Sequence, residues 1–499
     1  MKVGKRLTQP MAEEIQRIIY APRLASERDT CFAPLSAINM AHLVMLHEAH
    51  VLEPAAAAAI AKAMLAIDAD GPDGMDWDPA REDAYYNYEA ALMERAGARI
   101  GGQIHAGRSR NDIGATIDRM RVRDACLGIG EQLNRLRRVL LERAAEHGQT
   151  VMSGYTHLQA AQPITYGFYL LGLAQALERD AQRLQAAFVN ANQSPLGAGA
   201  LAGTSVPIDR NRTAGLLGFH GLIAHAQDAV ASRDFVIDAM NACIGMALTW
   251  SRFAQDMYVW SSAEFGLFRL SDRISGTSSI MPQKKNSVVL EHLKAKAAHA
   301  IGQQVSMLAS VRASHFTMTI DGCRASTASA WPMFKDVQES LALTQLVVEE
   351  ASPEHARMLD DAADNFCATT DLTDALVGER GLSFRQAHHL VGASVAQLIG
   401  EGKSARAYSS ALMDSTAQAV IGQSLDVSDA WLRHQLDPLA AVERRRSVGG
   451  TAPSETSRLI EESHRRLDED AQRLASLQSG LTRAMLNLRS QVESLAALG

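Results

Sequence analysis

The chain has 499 residues, 47% hydrophobic but only 5% aromatic, with a formal net charge of −7. That length allows a large core or several domains, and an Ala- and Leu-rich, aromatic-poor balance suits helix–helix packing better than a β-sandwich. Arg and Lys are spread along the sequence, so a nucleic-acid or anionic-membrane role has no electrostatic support, and any anionic ligand must be met by a local basic focus.

In chain order, the N-terminal M-K-V-G-K-R-L-T lacks the apolar core of a signal peptide. No charge-free apolar run of membrane-span length is read further on, so a soluble cytoplasmic protein is expected. Apolar residues recur at helical spacing over 12–20, a segment that Pro22 closes, and again over 36–52. Pro54 opens an alanine-rich helix from the first-turn position, where its missing N–H costs nothing. A Gly/Asp/Pro loop without periodicity spans 68–79, and 82–96 is again helical. The stretch I-G-G-Q-I-H-A-G-R-S-R-N-D (100–112) clusters donors just before a helix begins. Such a helix end with arginines beside it can take a carboxylate or a phosphate; the same pattern also serves as a plain capped start with solvated charges.

Long helices are expected over 115–146, 164–190 and 229–263, which suggests a side-by-side bundle. Between the first two, S-G-Y-T-H-L-Q-A-A-Q-P (153–163) reads as a break where Thr156 can bind a carboxylate and His157 can move protons, although a lone histidine is more often structural. Residues 288–312 read as helix, 314–324 as a break, and a further helix ends near 350, before Pro353. Two amphipathic helices around a G-L-S-F turn at Gly381 (368–402) resemble a separate small helical domain. After G-G-T-A-P (449–453), Ile460, Leu467, Leu474, Leu481, Leu488 and Leu495 recur every seven residues, a seam for bundle or subunit packing that Gly480 interrupts. The five cysteines, Cys31, Cys126, Cys243, Cys323 and Cys367, form no C-x-x-C pair, so neither a disulfide framework nor a zinc site is indicated. No Gly-rich phosphate loop follows a strand, which leaves nucleotide-cofactor folds unsupported.

One stretch organises the rest. S-G-T-S-S-I-M-P-Q-K-K-N (275–286) packs four hydroxyls, a glycine, a proline and two lysines into a dozen positions. It reads as a Gly-hinged mobile loop that brings a serine beside a cationic patch, where opposite charge favours a deprotonated hydroxyl. Ordinary solvent-loop turn chemistry is the alternative for the stretch taken alone.

Together, G-R-S-R-N-D, G-Y-T-H-L-Q, S-P-L-G-A-G-A-L-A-G-T-S-V-P-I-D-R (194–210), S-S-I-M-P-Q-K-K-N and G-G-T-A-P resemble, in order and spacing, argininosuccinate lyase and so the aspartase/fumarase superfamily. The resemblance covers nearly the whole chain. It implies an all-α fold of three domains, placed here at 1–113, 114–365 and 366–499, whose central helices assemble a homotetramer around a twenty-helix core. It also implies active sites shared by three subunits, and anti β-elimination releasing fumarate without metal or organic cofactor. By position, Ser278 matches the base, and Lys284 and Asn286 the groups on the carboxylate that gathers charge. Ser109, Arg110, Asn111 and Thr156 match the remaining fumarate-binding groups. His157 matches the proton-transfer or orienting histidine, with Gln159 beside it. Ser279 and Met281, next to the base, join the substrate-binding set.

The departures concern the leaving group. The family's Y-N-K-D-L-Q-E-D-K-like stretch, which grips the amino-acid end of arginine, is replaced by M-T-I-D-G-C-R-A-S, with Met318 and Cys323 at the tyrosine and glutamine positions. Arg324 offers a cation at a different place and is included with Met318 as a substrate contact. Ser287-Val288 replaces the usual Pro-Asp, and Tyr85 the histidine of E-D-x-H. The expectation is a C–N lyase acting on an N-substituted aspartate whose amine is not arginine, as in ethylenediamine-disuccinate lyases. An authentic argininosuccinate lyase and a catalytically silent crystallin-like relative stand as alternatives.

Overall fold

Five helices carry the architecture: Arg110–Glu146, Tyr166–Ala191, Asp234–Trp260, Val288–Val311 and Ala330–Glu350. A computed structural model describes residues 9–498, so the M-K-V-G-K-R-L-T terminus lies outside the described residues. The five helices pack around one large hydrophobic cluster that includes Leu133, Leu170, Phe235, Trp250, Leu290 and Leu341. A second cluster gathers the N-terminal helices Ala21–Glu48, Pro54–Asp70 and Ala84–Ala96. A third, around Leu376, Leu390 and Leu432, belongs to the helices that follow residue 368. Strands form only two-stranded ladders among the described residues, so the fold is all-α.

The last helix, Pro453–Ala496, is 44 residues long and runs straight through Gly480 rather than stopping there. Its heptad seam packs within its own chain: Ile460 and Leu467 enter the bundle cluster, Leu488, Val492 and Leu495 the N-terminal one. A period that keeps one stripe facing a neighbour over about ten turns welds the two clusters together. A buried ion pair pins it midway. Arg137, 1% exposed, donates to Asp470 of the last helix at 2.7 Å and lies 3.6 Å from Glu178.

Several expectations are corrected. Pro22 does not close a helix: a π-turn at Gln16–Tyr20 widens the backbone just before it, and the helix continues as Ala21–Glu48 with Pro34 inside. Burial of one face, from Leu35 through Leu46, outweighs the hydrogen bonds that the prolines forfeit. The same helical run contains an 18-residue window apolar enough to cross a membrane, contrary to the reading of the sequence. That window is 72% buried inside the protein, which makes it a core helix. The third long helix starts at Asp234, after a short helix Ala226–Ala231 and a break at Ser232 and Arg233. All five cysteines are free and buried.

Arg137→Met should take away the 2.7 Å partner of Asp470 and leave Glu178 to Arg466 alone, and cost up to about 3–5 kcal/mol of stability, read as a lowered denaturation midpoint. Arg483→Met, at an exposed position of the last helix, serves as control and should shift the midpoint little.

Candidate active site

Ser109 caps the Arg110–Glu146 helix in a capping box with Asp112, so Arg110 and Asn111 occupy its first turn. Asp112 also reaches across to a second loop: one oxygen accepts the Ser109 N–H at 2.8 Å, the other the Gly197 and Gly199 N–H at 2.8 and 3.0 Å. Burial pushes this carboxyl up to about 6, against the opposing pull of those backbone donors. The clamp fixes the G-A-G-A-L turn against the helix start, where Asn111 donates its amide to the Ala200 carbonyl at 3.0 Å. Gly199 must be glycine there, since its φ is +65° and an added Cβ would lie 2.7 Å from the Gly203 carbonyl oxygen.

Arg110 does not point freely at a ligand. It donates to Glu82 at 2.8 Å and Asp83 at 3.0 Å and covers the Tyr86 ring. Tyr85, at the position of the family's histidine, is buried and bonded to His105 Nδ1 at 2.6 Å and Glu89 at 3.0 Å. Arg110 and Asn111 share a cavity of about 540 Å³ with Met318 and Arg324. Cys323 does not reach it; its buried thiol lies 3.5 Å from the carbonyls of Thr317 and Ala231.

Residues 153–163 form a β-hairpin, not an irregular break. Val151–Thr156 pairs antiparallel with Gln159–Thr165, with a bulge between Ser153 and Tyr155. His157 and Leu158 make the two-residue turn with φ of +55° and +58°, the conformation of a type I′ turn that Asn-Gly usually fills. Holding two such side chains in the left-handed region costs energy, and the anchoring of the strands supplies it. Ser153 and Tyr155 both donate to Asp361, at 2.6 and 2.9 Å, and Arg445 donates to the Pro163 carbonyl at 2.7 Å. Thr156, His157 and Gln159 are left exposed at the tip.

The Ser278 loop is closed at its base by a short ladder, Gly276-Thr277 against Lys285-Asn286. Ser278 Oγ accepts the N–H groups of Met281 at 3.1 Å and Ile280 at 3.4 Å. Both dipoles favour a negative oxygen. The two lysines differ: Lys285 is tied to the Leu270 carbonyl and Asp272, whereas the Lys284 ammonium has no partner among the described residues. Asn286 donates to Thr277 O at 3.2 Å. Ser279 is exposed, and Ile280 and Met281 stand 83% and 40% exposed, which marks an apex with nothing over it in the isolated chain.

These parts fall into two groups. The 37-residue helix begins at Arg110 and delivers the hairpin just beyond its far end; at 1.5 Å per residue that is a separation of roughly 55 Å. Val288–Val311 likewise sets the Ser278 loop before its start and Met318 and Arg324 beyond its end. One chain therefore groups Ser109, Arg110, Asn111, Met318 and Arg324 at one end of the bundle. Thr156, His157, Gln159 and the Ser278–Asn286 loop leave from the other ends of the same helices.

Residues 8–302 match the lyase family and residues 366–443 the argininosuccinate lyase C-terminal family. Argininosuccinate lyase 1 of Shouchella clausii is 36% identical over 479 residues, 96% of each chain. The chain belongs to this lyase family. It is an argininosuccinate lyase-like carbon–nitrogen lyase of the aspartase/fumarase superfamily. Among solved structures, EDDS lyase in complex with formate is similar with a TM-score of 0.88 and 32% identity, covering 98% of this chain and 97% of that one. An EDDS lyase variant with bound fumarate, in which one aspartate and one tyrosine are changed to methionine, matches with a TM-score of 0.87, at 32% identity and the same coverage.

Motif reading of this lyase missed Arg121 and Trp331, which line the cavity beside Met318 and Arg324. Both sit on helices, where an arginine reads as a solvated face and a tryptophan as core. Asp112→Asn should turn an amide NH2 either on the Ser109 N–H or on both the Gly197 and Gly199 N–H groups, at about 1–3 kcal/mol per unmet donor. A lower thermal midpoint and lower turnover are expected, read by melting curves and steady-state rates on one preparation.

Proposed function

We propose that the enzyme catalyses reversible anti β-elimination on an N-substituted L-aspartate, releasing fumarate and an amine, with Ser278 as the base. The observation that carries this is the state of the Ser278 loop: an oxygen with two backbone donors aimed at it, a free ammonium on Lys284, and an apex open to a ligand. In the forward direction Ser278, as alkoxide, takes the proton from the carbon next to the carboxylate, and the electron pair moves into that carboxylate. Lys284 and Asn286 hold the dianion as its charge develops. The pair then returns to form the double bond as the C–N bond breaks, and the nitrogen leaves as the amine after protonation from the His157 side. Ser109, Asn111 and Thr156 hold fumarate, with Arg110, Gln159, Ser279 and Met281 around it. No metal or organic cofactor is required in this scheme.

The amine is not arginine in this reading. The tyrosine and Pro-Asp positions of the family pattern hold Met318 and Val288, and neither side chain can pair with a zwitterion. An aspartate and a tyrosine are also the two residue types altered in the EDDS lyase variant that binds fumarate. Authentic argininosuccinate lyase activity is the second reading, favoured by the name of the 36% identical relative. We further propose a cytoplasmic homotetramer with three domains per chain. The exposed Leu248, Ile301, Val305 and Leu308 on two bundle helices support burial against other copies.

A panel of amines incubated with fumarate tests the reading. Adducts should form with amines other than arginine, and arginine should be a poor nucleophile. A kcat/KM for argininosuccinate above every alternative would instead establish the second reading. Ser278→Ala should lower turnover by ~10²–10⁴-fold while fumarate still binds; a near-normal rate would move the base elsewhere.

A further inference from the structure

The cavity at the Arg110 end of the bundle is basic within an acidic molecule: five arginines line it against three carboxylates. Four of the arginines have a carboxylate within 4.0 Å. Arg110 pairs with Glu82 and Asp83, Arg23 with Glu27 at 2.6 Å, and Arg233 lies 3.3 Å from Asp118. Arg324 stands 3.7 Å from Asp83, too far for a hydrogen bond, and lies over the bare backbone of Gly114.

Arg121 is the fifth. Its guanidinium carbon sits 3.6 Å from the centre of the Trp331 ring, and it has no carboxylate within 4.0 Å among the described residues. Its one polar contact among the described residues is Cys31 Sγ at 4.0 Å. Burial pushes that thiol up to about 11, so it stays neutral and does not offset the charge. A guanidinium stacked on an indole has its face covered and its edge free, and the N–H groups along that edge match the two oxygens of a carboxylate. The volume suits a small molecule larger than fumarate alone.

We propose that Arg121, stacked on Trp331 and assisted by Arg324, binds a carboxylate on the amine half of the substrate, so that the leaving group is an amine bearing an acid and no second cation. This rests on the C–N lyase reading above. A second ammonium or a guanidinium would enter among arginines whose neighbouring carboxylates are already paired. Met318 supplies an apolar wall for the carbon chain between the reacting nitrogen and the acid.

The test uses the full-length enzyme with saturating fumarate and three probes: β-alanine, its neutral amide, and ethylenediamine. The wild type should favour β-alanine over the amide by about tenfold or more in kcat/KM, as charge-assisted hydrogen bonds would give, and ethylenediamine should be poorest. Arg121→Met should collapse that ratio towards one, mainly through the KM for the acid, and Arg121→Lys should retain part of it. Adducts formed by the wild type without preference for the acid, or a ratio that survives Arg121→Met, would overturn the assignment alone. The wild-type arm stands even if the methionine variant fails to fold. No adduct with any amine would overturn the lyase reading and the assignment with it.

Discussion

Ser109 and Asn111 start a continuous 37-residue helix, and the Thr156–His157 hairpin follows its other end. That length is the constraint on which the chemistry depends, because no bending of a packed helix brings groups roughly 55 Å apart to one small dicarboxylate. Val288–Val311 repeats the arrangement for the Ser278 loop and Met318. In the proposed reaction the two ends meet only between copies, with the end of one chain laid against the opposite end of another. The exposed apolar residues on Asp234–Trp260 and Val288–Val311 give those copies a surface to share.

The helices supply distance, and the loops at their ends supply precision. At one end, Asp112 binds backbone donors from two separate segments, so the helix start and the 197–199 turn cannot move apart without stranding a buried carboxylate. At the other, Asp361 holds Ser153 and Tyr155, which lets the hairpin keep His157 and Leu158 in the left-handed region. The Ser278 loop is different. It is pinned only at its base, and the 83% exposure of Ile280 shows an apex that gains from being covered. A rigid helix start, a strained histidine turn and a loosely held serine loop fit the proposed reaction, in which closure must follow substrate entry.

Much of this was legible in the sequence because the chemistry lies on loops flanked by Gly and Pro, where hydroxyls, amides and lysines have few structural reasons to cluster. The capping box at Ser109 and Asp112 and the seven-residue repeat from Ile460 are read directly from spacing. What escaped was decided by tertiary contacts. The T-H-L-Q turn lacks the Asn-Gly signal of its hairpin, since Asp361 and Arg445, both more than 200 residues away, hold the strands. Pro22 and Pro34 lie inside helix because burial outweighs their local cost. Arg121 and Trp331 lie on helices of the bundle, far apart in sequence, and only folding stacks them beside Met318.

The account's central claim is that a working site takes residues from opposite ends of different chains. Subunit exchange between two separately inactive variants, Ser278→Ala and Asn111→Ala, which change opposite ends of the chain, tests it most directly. If the base and the asparagine come from different copies, random mixing should produce oligomers in which roughly a quarter of the sites carry both intact residues, and activity should reappear as exchange proceeds. No recovery in oligomers demonstrated to be mixed would contradict the account and require each chain to complete its own site.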